Sequence, residues 1–99
     1  MLHHIVMWKI KQTADGKSKE QNIDLLLSRY EELKKYIPSI KNAKMYRNIA
    51  DGDMNDVVLL TEFKDADELN TYINHPKHKE YSEFCKSVRE TRSAVDYED

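Results

Sequence analysis

The sequence predicts an α+β protein with a ferredoxin-like β-α-β-β-α-α-β order, in which helices cover one face of a four-stranded antiparallel sheet. Apolar residues repeat at strand spacing in four segments and at helical spacing in three, and polar turns separate these segments. Two of the four strand segments are apolar on both faces, as covered central strands are. At 99 residues, we expect a single domain over 1–99.

The first strand and the first helix have the clearest patterns. Leu2 to Lys11 is rich in β-branched and aromatic residues and is apolar on both parities, which predicts a strand covered on both faces. After a polar turn, Ser18 and Gln21 form a capping-box pattern that opens a helix, and this helix is expected to end before Pro38. Its apolar positions are Ile23, Leu26, Leu27, Tyr30, Leu33 and Ile37.

The remaining segments complete the predicted order. Lys41 to Ile49 and Asp56 to Lys64 are separated by a polar loop, which indicates an antiparallel hairpin. Asp65 begins a capping pattern for a short helix, and Pro76 both ends that helix and opens the next. Thr91 to Glu98 is the last strand. The apolar positions of these two helices are Leu69, Tyr72, Ile73, Tyr81, Phe84, Cys85 and Val88.

The second apolar face of the first strand predicts an assembly. In a split β-α-β unit the helices cover only one face of the sheet, so Ile5 and Met7 need another cover. The simplest cover for this face is the sheet of a second, identical chain. We therefore expect a homodimer that packs sheet against sheet and forms a dimeric α/β barrel.

Composition excludes several classes of protein. Sixteen Lys and Arg against eighteen Asp and Glu are interspersed without a basic stripe, which argues against nucleic-acid binding. The longest apolar runs have four residues, against roughly 18 for a membrane span, and no secretion signal is recognisable, so no membrane contact is expected. With Cys85 as the only cysteine, no intrachain disulfide can form, which favours a cytoplasmic location. Two glycines cannot form a P-loop or a Rossmann fingerprint.

His78 is the main candidate for chemistry. It shares an apolar helical stripe with Tyr81, which predicts that it is largely buried against the sheet. If Pro76 opens the helix, His78 is the third residue, where unpaired backbone N–H groups disfavour a positive charge. Burial acts in the same direction and favours a neutral imidazole that can accept a proton. Tyr72 also points inward, where its phenol can donate to an oxygen that gains negative charge.

Each of these residues also has a structural interpretation. His78 can be a core histidine with a satisfied partner, and Tyr72 can be a core tyrosine bonded to the backbone. Cys85 is best explained as a small core residue. His75 and His78 stand three residues apart and can direct two imidazoles at one ion, but no third ligand completes a site. We therefore expect neither a metal nor another cofactor.

The opening segment HHIVMWKIK, the HPxH element from His75 to His78 and the closing strand Val95 to Glu98 together resemble the stress-responsive A/B barrel domain, or Dabb, family. The resemblance covers nearly the whole chain. It implies a homodimeric α/β barrel. A plant polyketide cyclase that is similar in fold uses two histidines and a tyrosine for a cofactor-free aldol-type ring closure, and the matching positions here are His4, Tyr72 and His78.

Two positions depart from the family pattern. Tyr46 stands where many members have a glycine on the second strand, and Val57 stands where the cyclase has a polar residue on the third. A narrower or less polar cavity is the expected consequence.

Several functions fit this reading. The first is a stress-response-associated Dabb protein that binds a small apolar or aromatic molecule. The second is a cofactor-free enzyme acting on a polyketide-like or enolisable carbonyl compound, with His78 as general base, Tyr72 as donor and His4 assisting. A quinol-type monooxygenase and a purely structural or regulatory dimer are further alternatives. The residues expected to line an apolar pocket are Val6, Trp8, Leu59, Tyr72, Ile73, His78 and Tyr81.

Overall fold

A computed structural model describes residues 1–40, 42–50, 52 and 54–99. The helices and strands follow the predicted order, with one additional small hairpin near the N-terminus. The elements are β1 (Leu2–Ile10), β2 (Thr13–Ala14), β3 (Lys17–Ser18), α1 (Lys19–Lys34), β4 (Lys44–Arg47), β5 (Val57–Phe63), α2 (Ala66–Asn74), α3 (Pro76–Val88) and β6 (Arg89–Glu98).

The main sheet has the strand order β4-β5-β1-β6, and every neighbouring pair is antiparallel. The ferredoxin-like prediction is therefore confirmed, since β1 and β5 are the two central strands. Residues of β1 alternate strictly between buried and half-buried positions. The buried set faces the helices and the half-buried set faces away from them. On that open face Ile5 pairs with Leu60 on one side and with Val95 on the other.

The small β2-β3 hairpin was not predicted. Asp15 and Gly16 form its turn with φ angles of 57° and 72°, and a tight two-residue hairpin favours this left-handed conformation at both positions. β4 is shorter than the predicted strand from Lys41 to Ile49, and Lys41 itself lies outside the described residues. β6 begins at Arg89, directly after α3 and two residues before the predicted start.

Side-chain caps fix where the helices begin. Ser18 Oγ accepts the backbone N–H of Gln21 at 3.2 Å, and Gln21 Oε1 accepts the backbone N–H of Ser18 at 3.0 Å, so the predicted capping box is present. Pro76 is the first residue of α3, and His75 Nδ1 caps that helix by accepting the backbone N–H of Lys77 at 3.1 Å. The cap and the proline together make His78 the third residue of α3.

The core lies between the three helices and the covered face of the sheet. Its largest fully buried side chains include Tyr30, Phe63 and Tyr72. The helices do not extend over the last strand, where every residue from 91 to 99 is exposed. A gap therefore opens between β6 and the ends of α2 and α3. No helix within the described residues is long and apolar enough to cross a membrane.

The capping box predicts a measurable effect on stability. Ser18→Ala removes the acceptor for the Gln21 N–H and should lower the free energy of unfolding by about 1 kcal/mol. Ser28→Ala is the matched control, because Ser28 lies exposed in the middle of the same helix and alanine is favoured there. Urea denaturation of both variants measures the difference. Equal effects at the two positions would contradict the role assigned to Ser18.

Candidate active site

A cavity of about 290 Å³ lies between the covered face of the sheet and the helices α2 and α3. The structure brings together all seven residues that the sequence suggested for a pocket, together with His4. Five further residues in its wall were not anticipated. These are Ser82, Cys85, Lys86, Arg89 and Arg92.

His78 contributes an imidazole to this wall. Its ring centroid lies 4.3 Å from that of Tyr72. The residue is half-buried rather than largely buried as expected, because one side of it faces the cavity. Among the described residues its Nδ1 is buried without a hydrogen-bond partner. Burial lowers the pKa of His78 from its usual 6.5, although the backbone carbonyl of Ile73 acts in the opposite direction. The imidazole is therefore neutral at pH 7 and can accept a proton.

Tyr72 is almost fully buried beside His78. Its hydroxyl oxygen lies 3.1 Å from that of Tyr30, and either hydroxyl can be the donor. Burial raises the pKa of Tyr72 to about 12, so the phenol keeps its proton at neutral pH. If Tyr30 donates to Tyr72, the hydrogen of Tyr72 is available to an oxygen in the cavity. The arrangement therefore suits a donor that is held in place by a second tyrosine.

His4 enters the cavity from β1 and has a carboxylate partner. Its Nδ1 lies 2.5 Å from Asp96 Oδ1 on the neighbouring strand β6, where the two residues are paired in register. In the neutral form of a histidine with such a partner, the hydrogen lies on Nδ1 and Nε2 is the acceptor. Sequence reasoning missed Asp96, and the signal that can find it is the antiparallel register of β1 and β6. His3 points to the opposite face, where it stacks on Tyr97.

The other residues considered for the site contact mainly the protein itself or lie at the rim of the cavity. The Tyr81 hydroxyl donates to the backbone carbonyl of Leu26 at 2.7 Å, so its hydrogen is not available to a ligand. Ile73 is at the rim, with 39% of its surface exposed. His75 is occupied as the cap of α3. Within the described part of the chain, no three His, Cys, Asp or Glu side chains are grouped so that they could hold a metal ion.

The cavity wall also contains charged residues that the sequence did not suggest. Lys86, Arg89 and Arg92 contribute to it alongside the predicted apolar residues. Tyr46 cannot narrow the cavity, because its register places it on the open face of the sheet, half-exposed to solvent. Val57 is buried in the core and is not part of the cavity wall.

The sequence profile of the Stress Responsive A/B Barrel Domain, Dabb, matches residues 2–99. The chain belongs to the Dabb family. A comparison with curated proteins finds no match for this Dabb chain.

Solved structures share the fold of this Dabb chain. A dimeric ferredoxin-like protein from Bacteroides fragilis is 24% identical, with a TM-score of 0.79 over 99% of this chain and 95% of that one. A Dabb protein from Mesorhizobium loti is 19% identical, with a TM-score of 0.75 over 99% and 95%. A hydroxynitrile lyase from Passiflora edulis is 19% identical, with a TM-score of 0.79 over 97% and 90%. These likenesses establish the ferredoxin-like architecture of the chain.

The lowered pKa of His78 predicts a specific pH dependence of stability. Below about pH 6.5 the unfolded chain binds a proton at this position more readily than the folded chain, so acid favours unfolding there. The free energy of unfolding should therefore fall more steeply for wild type than for His78→Gln between about pH 7.5 and about pH 5. Urea denaturation across that range measures the difference, and parallel profiles for the two proteins would show that His78 does not resist protonation.

Proposed function

We propose that this Dabb chain binds a small molecule in the cavity beside His78. The observation that carries the proposal is the buried Nδ1 of His78, which has no hydrogen-bond partner among the described residues although the residue itself lines the cavity. Buried polar atoms are nearly always paired, so an unpaired one next to a cavity indicates a place for a ligand atom. The volume of about 290 Å³ lies at the lower end of the range for small-molecule sites, roughly 300–1,000 Å³.

We also propose that two copies of the chain pack together through the open face of the sheet and form a dimeric α/β barrel. That face carries a group of apolar side chains that one chain leaves half-buried or exposed, and isolated chains rarely leave such a large patch uncovered. Similar structures from Bacteroides fragilis and Thermobifida fusca are described as dimeric, which supports the proposal. The apolar residues on this face are Ile5, Met7, Tyr46, Val58, Leu60, Val95 and Tyr97.

A charge at the centre of the open face tests this interface. Met7→Lys places an ammonium group on the central strand β1, where a partner sheet would bury it, and should shift the protein from dimer to monomer at micromolar concentration. Analytical ultracentrifugation measures the change, and circular dichroism checks that the fold is retained. Asn70→Lys adds the same charge to an exposed position on α2 and serves as the control. A Met7→Lys protein that sediments like wild type would exclude the sheet-to-sheet dimer.

A second function is favoured by the electrostatics of the cavity, namely cofactor-free proton transfer. A neutral His78 can remove a proton from the carbon next to a carbonyl group, and the O–H of Tyr72 can donate to the enolate oxygen that forms. His4, oriented by Asp96, is a second imidazole that can move a proton. The Passiflora edulis protein is described as a hydroxynitrile lyase, so the fold supports enzymes as well as binding proteins.

Replacing His78 tests whether this residue binds a ligand in the pocket or only packs in the core. His78→Leu removes a buried nitrogen that has no partner, so the free energy of unfolding should stay unchanged or rise by up to about 1 kcal/mol. Capture of an aromatic ketone such as acetophenone should nevertheless weaken. If the chain is an enzyme, wild type should also speed deuterium incorporation at the methyl group of acetophenone in D₂O, and His78→Leu should slow it by about a hundredfold or more.

Thermal melts at pH 7.5 with and without acetophenone measure stability and binding, and nuclear magnetic resonance measures the exchange. Lys79→Gln changes an exposed residue of α3 outside the cavity wall and is the control. Binding without exchange identifies a binding protein, whereas exchange that depends on His78 identifies an enzyme. A His78→Leu protein that is several degrees less stable yet keeps the full ligand-induced shift would show that His78 is a core residue.

A further inference from the structure

The two arginines in the cavity wall differ from the other two arginines of the chain. Arg47 contacts the carboxylates of Glu20 and Asp24, and Arg29 stacks on an aromatic ring of α3. Within the described residues, no carboxylate oxygen lies within 4 Å of the Arg89 or Arg92 guanidinium. Neither guanidinium therefore forms an ion pair with a described acidic side chain.

Arg89 and Arg92 both reach the cavity from the region where α3 passes into β6. Arg89 caps the C-terminus of α3 and is half-buried, and Arg92 lies three residues later on β6. In the register of the sheet Arg92 is directly opposite Trp8 on β1, and all three residues line the cavity. Lys86 is a less available cation, since its ammonium group lies 3.4 Å from a carboxylate oxygen of Glu83.

Trp8 adds an independent observation. Only 5% of its surface is exposed, and among the described residues its indole Nε1 is buried without a hydrogen-bond partner. An indole N–H can only donate, and so can a guanidinium. Three side chains that donate and cannot accept therefore line the same cavity, and two of them carry a positive charge with no carboxylate oxygen of the described residues within 4 Å.

We propose that Trp8, Arg89 and Arg92 form a carboxylate-binding subsite, so that the ligand of the cavity is a small organic acid. A carboxylate has two coplanar acceptor oxygens, which match the fork of a guanidinium and leave a lone pair for the indole N–H. This inference rests on the proposed small-molecule cavity and names the ligand class. It also gives the ligand an orientation, because an acid held at this wall has its remaining atoms directed toward the other groups of the cavity, His78 and Tyr72 among them.

Two probes that differ in charge and hardly in size test the subsite. 3-Phenylpropionate carries a carboxylate, and 3-phenylpropanamide replaces it with a neutral amide. Isothermal titration calorimetry at pH 7.5 should give a dissociation constant at least about tenfold lower for the acid. Because the interaction is between charges, this preference should shrink when the salt concentration is raised.

Substitutions of the two arginines test whether they are the source of the preference for the acid over the amide. Arg92→Gln and Arg89→Gln should each reduce the preference for the acid by roughly fivefold or more while leaving the affinity for the amide unchanged. Arg92→Lys keeps the charge without the planar fork and should retain part of the preference. Lys79→Gln removes one positive charge from α3 outside the cavity wall, so the preference should stay at the wild-type level.

The outcomes distinguish this inference from the proposed function. Equal affinities for acid and amide in wild type would overturn the carboxylate subsite and leave the cavity proposal standing. A preference that survives both glutamine variants, or that Lys79→Gln removes equally, would also overturn it, because the three donors would not be its source. Failure of wild type to bind either probe would overturn the subsite and the small-molecule cavity together.

Discussion

The alternation of side chains along β1 is the constraint on which the rest of the structure depends. Successive residues of a strand point to opposite faces, so the even-numbered positions of β1 lie under the helices and the odd-numbered positions lie on the open face. His4 and Trp8 reach the cavity by this rule, and Ile5 and Met7 reach the open face. A slip of one residue in register would exchange the two sets, placing a histidine and an indole in the proposed interface and aliphatic side chains in the site.

The second determinant of the site is the break between α2 and α3. His75 ends one helix and caps the next with its own imidazole, and Pro76 fixes the first turn of α3. Two helices that meet at this break cover the centre of the sheet but leave β6 open. The same break that fixes His78 beside Tyr72 therefore also leaves the gap in which the cavity lies.

Much of this arrangement could be predicted from the sequence, because it depends on local patterns. The apolar stripe and the position of Pro76 were enough to place His78 on the inner side of α3. His4 was indicated only by the family resemblance, because the alternation along β1 by itself puts His3 and His4 on opposite faces without saying which is which. The partners that were missed depend on long-range register. Asp96 meets His4 only because β6 pairs with β1 at that offset. Arg89 was missed because the predicted strand began two residues late, which left this residue between α3 and β6.

The fold alone does not determine the chemistry of the site. Structures that share the fold at 18% to 24% identity include proteins described as a lyase and as a monooxygenase, so the chemistry depends on the residues of the site. A neutral imidazole, a protonated phenol and two guanidinium groups that form no ion pair with a described acidic side chain surround one small volume. Burial and, to a smaller extent, the charge of Arg92 disfavour protonation of His78, and a bound carboxylate would pair with the guanidinium groups without needing a proton from the site. An acid held at one wall would leave His78 free to act as a base on another part of the same molecule, so that one site would both hold and activate its ligand.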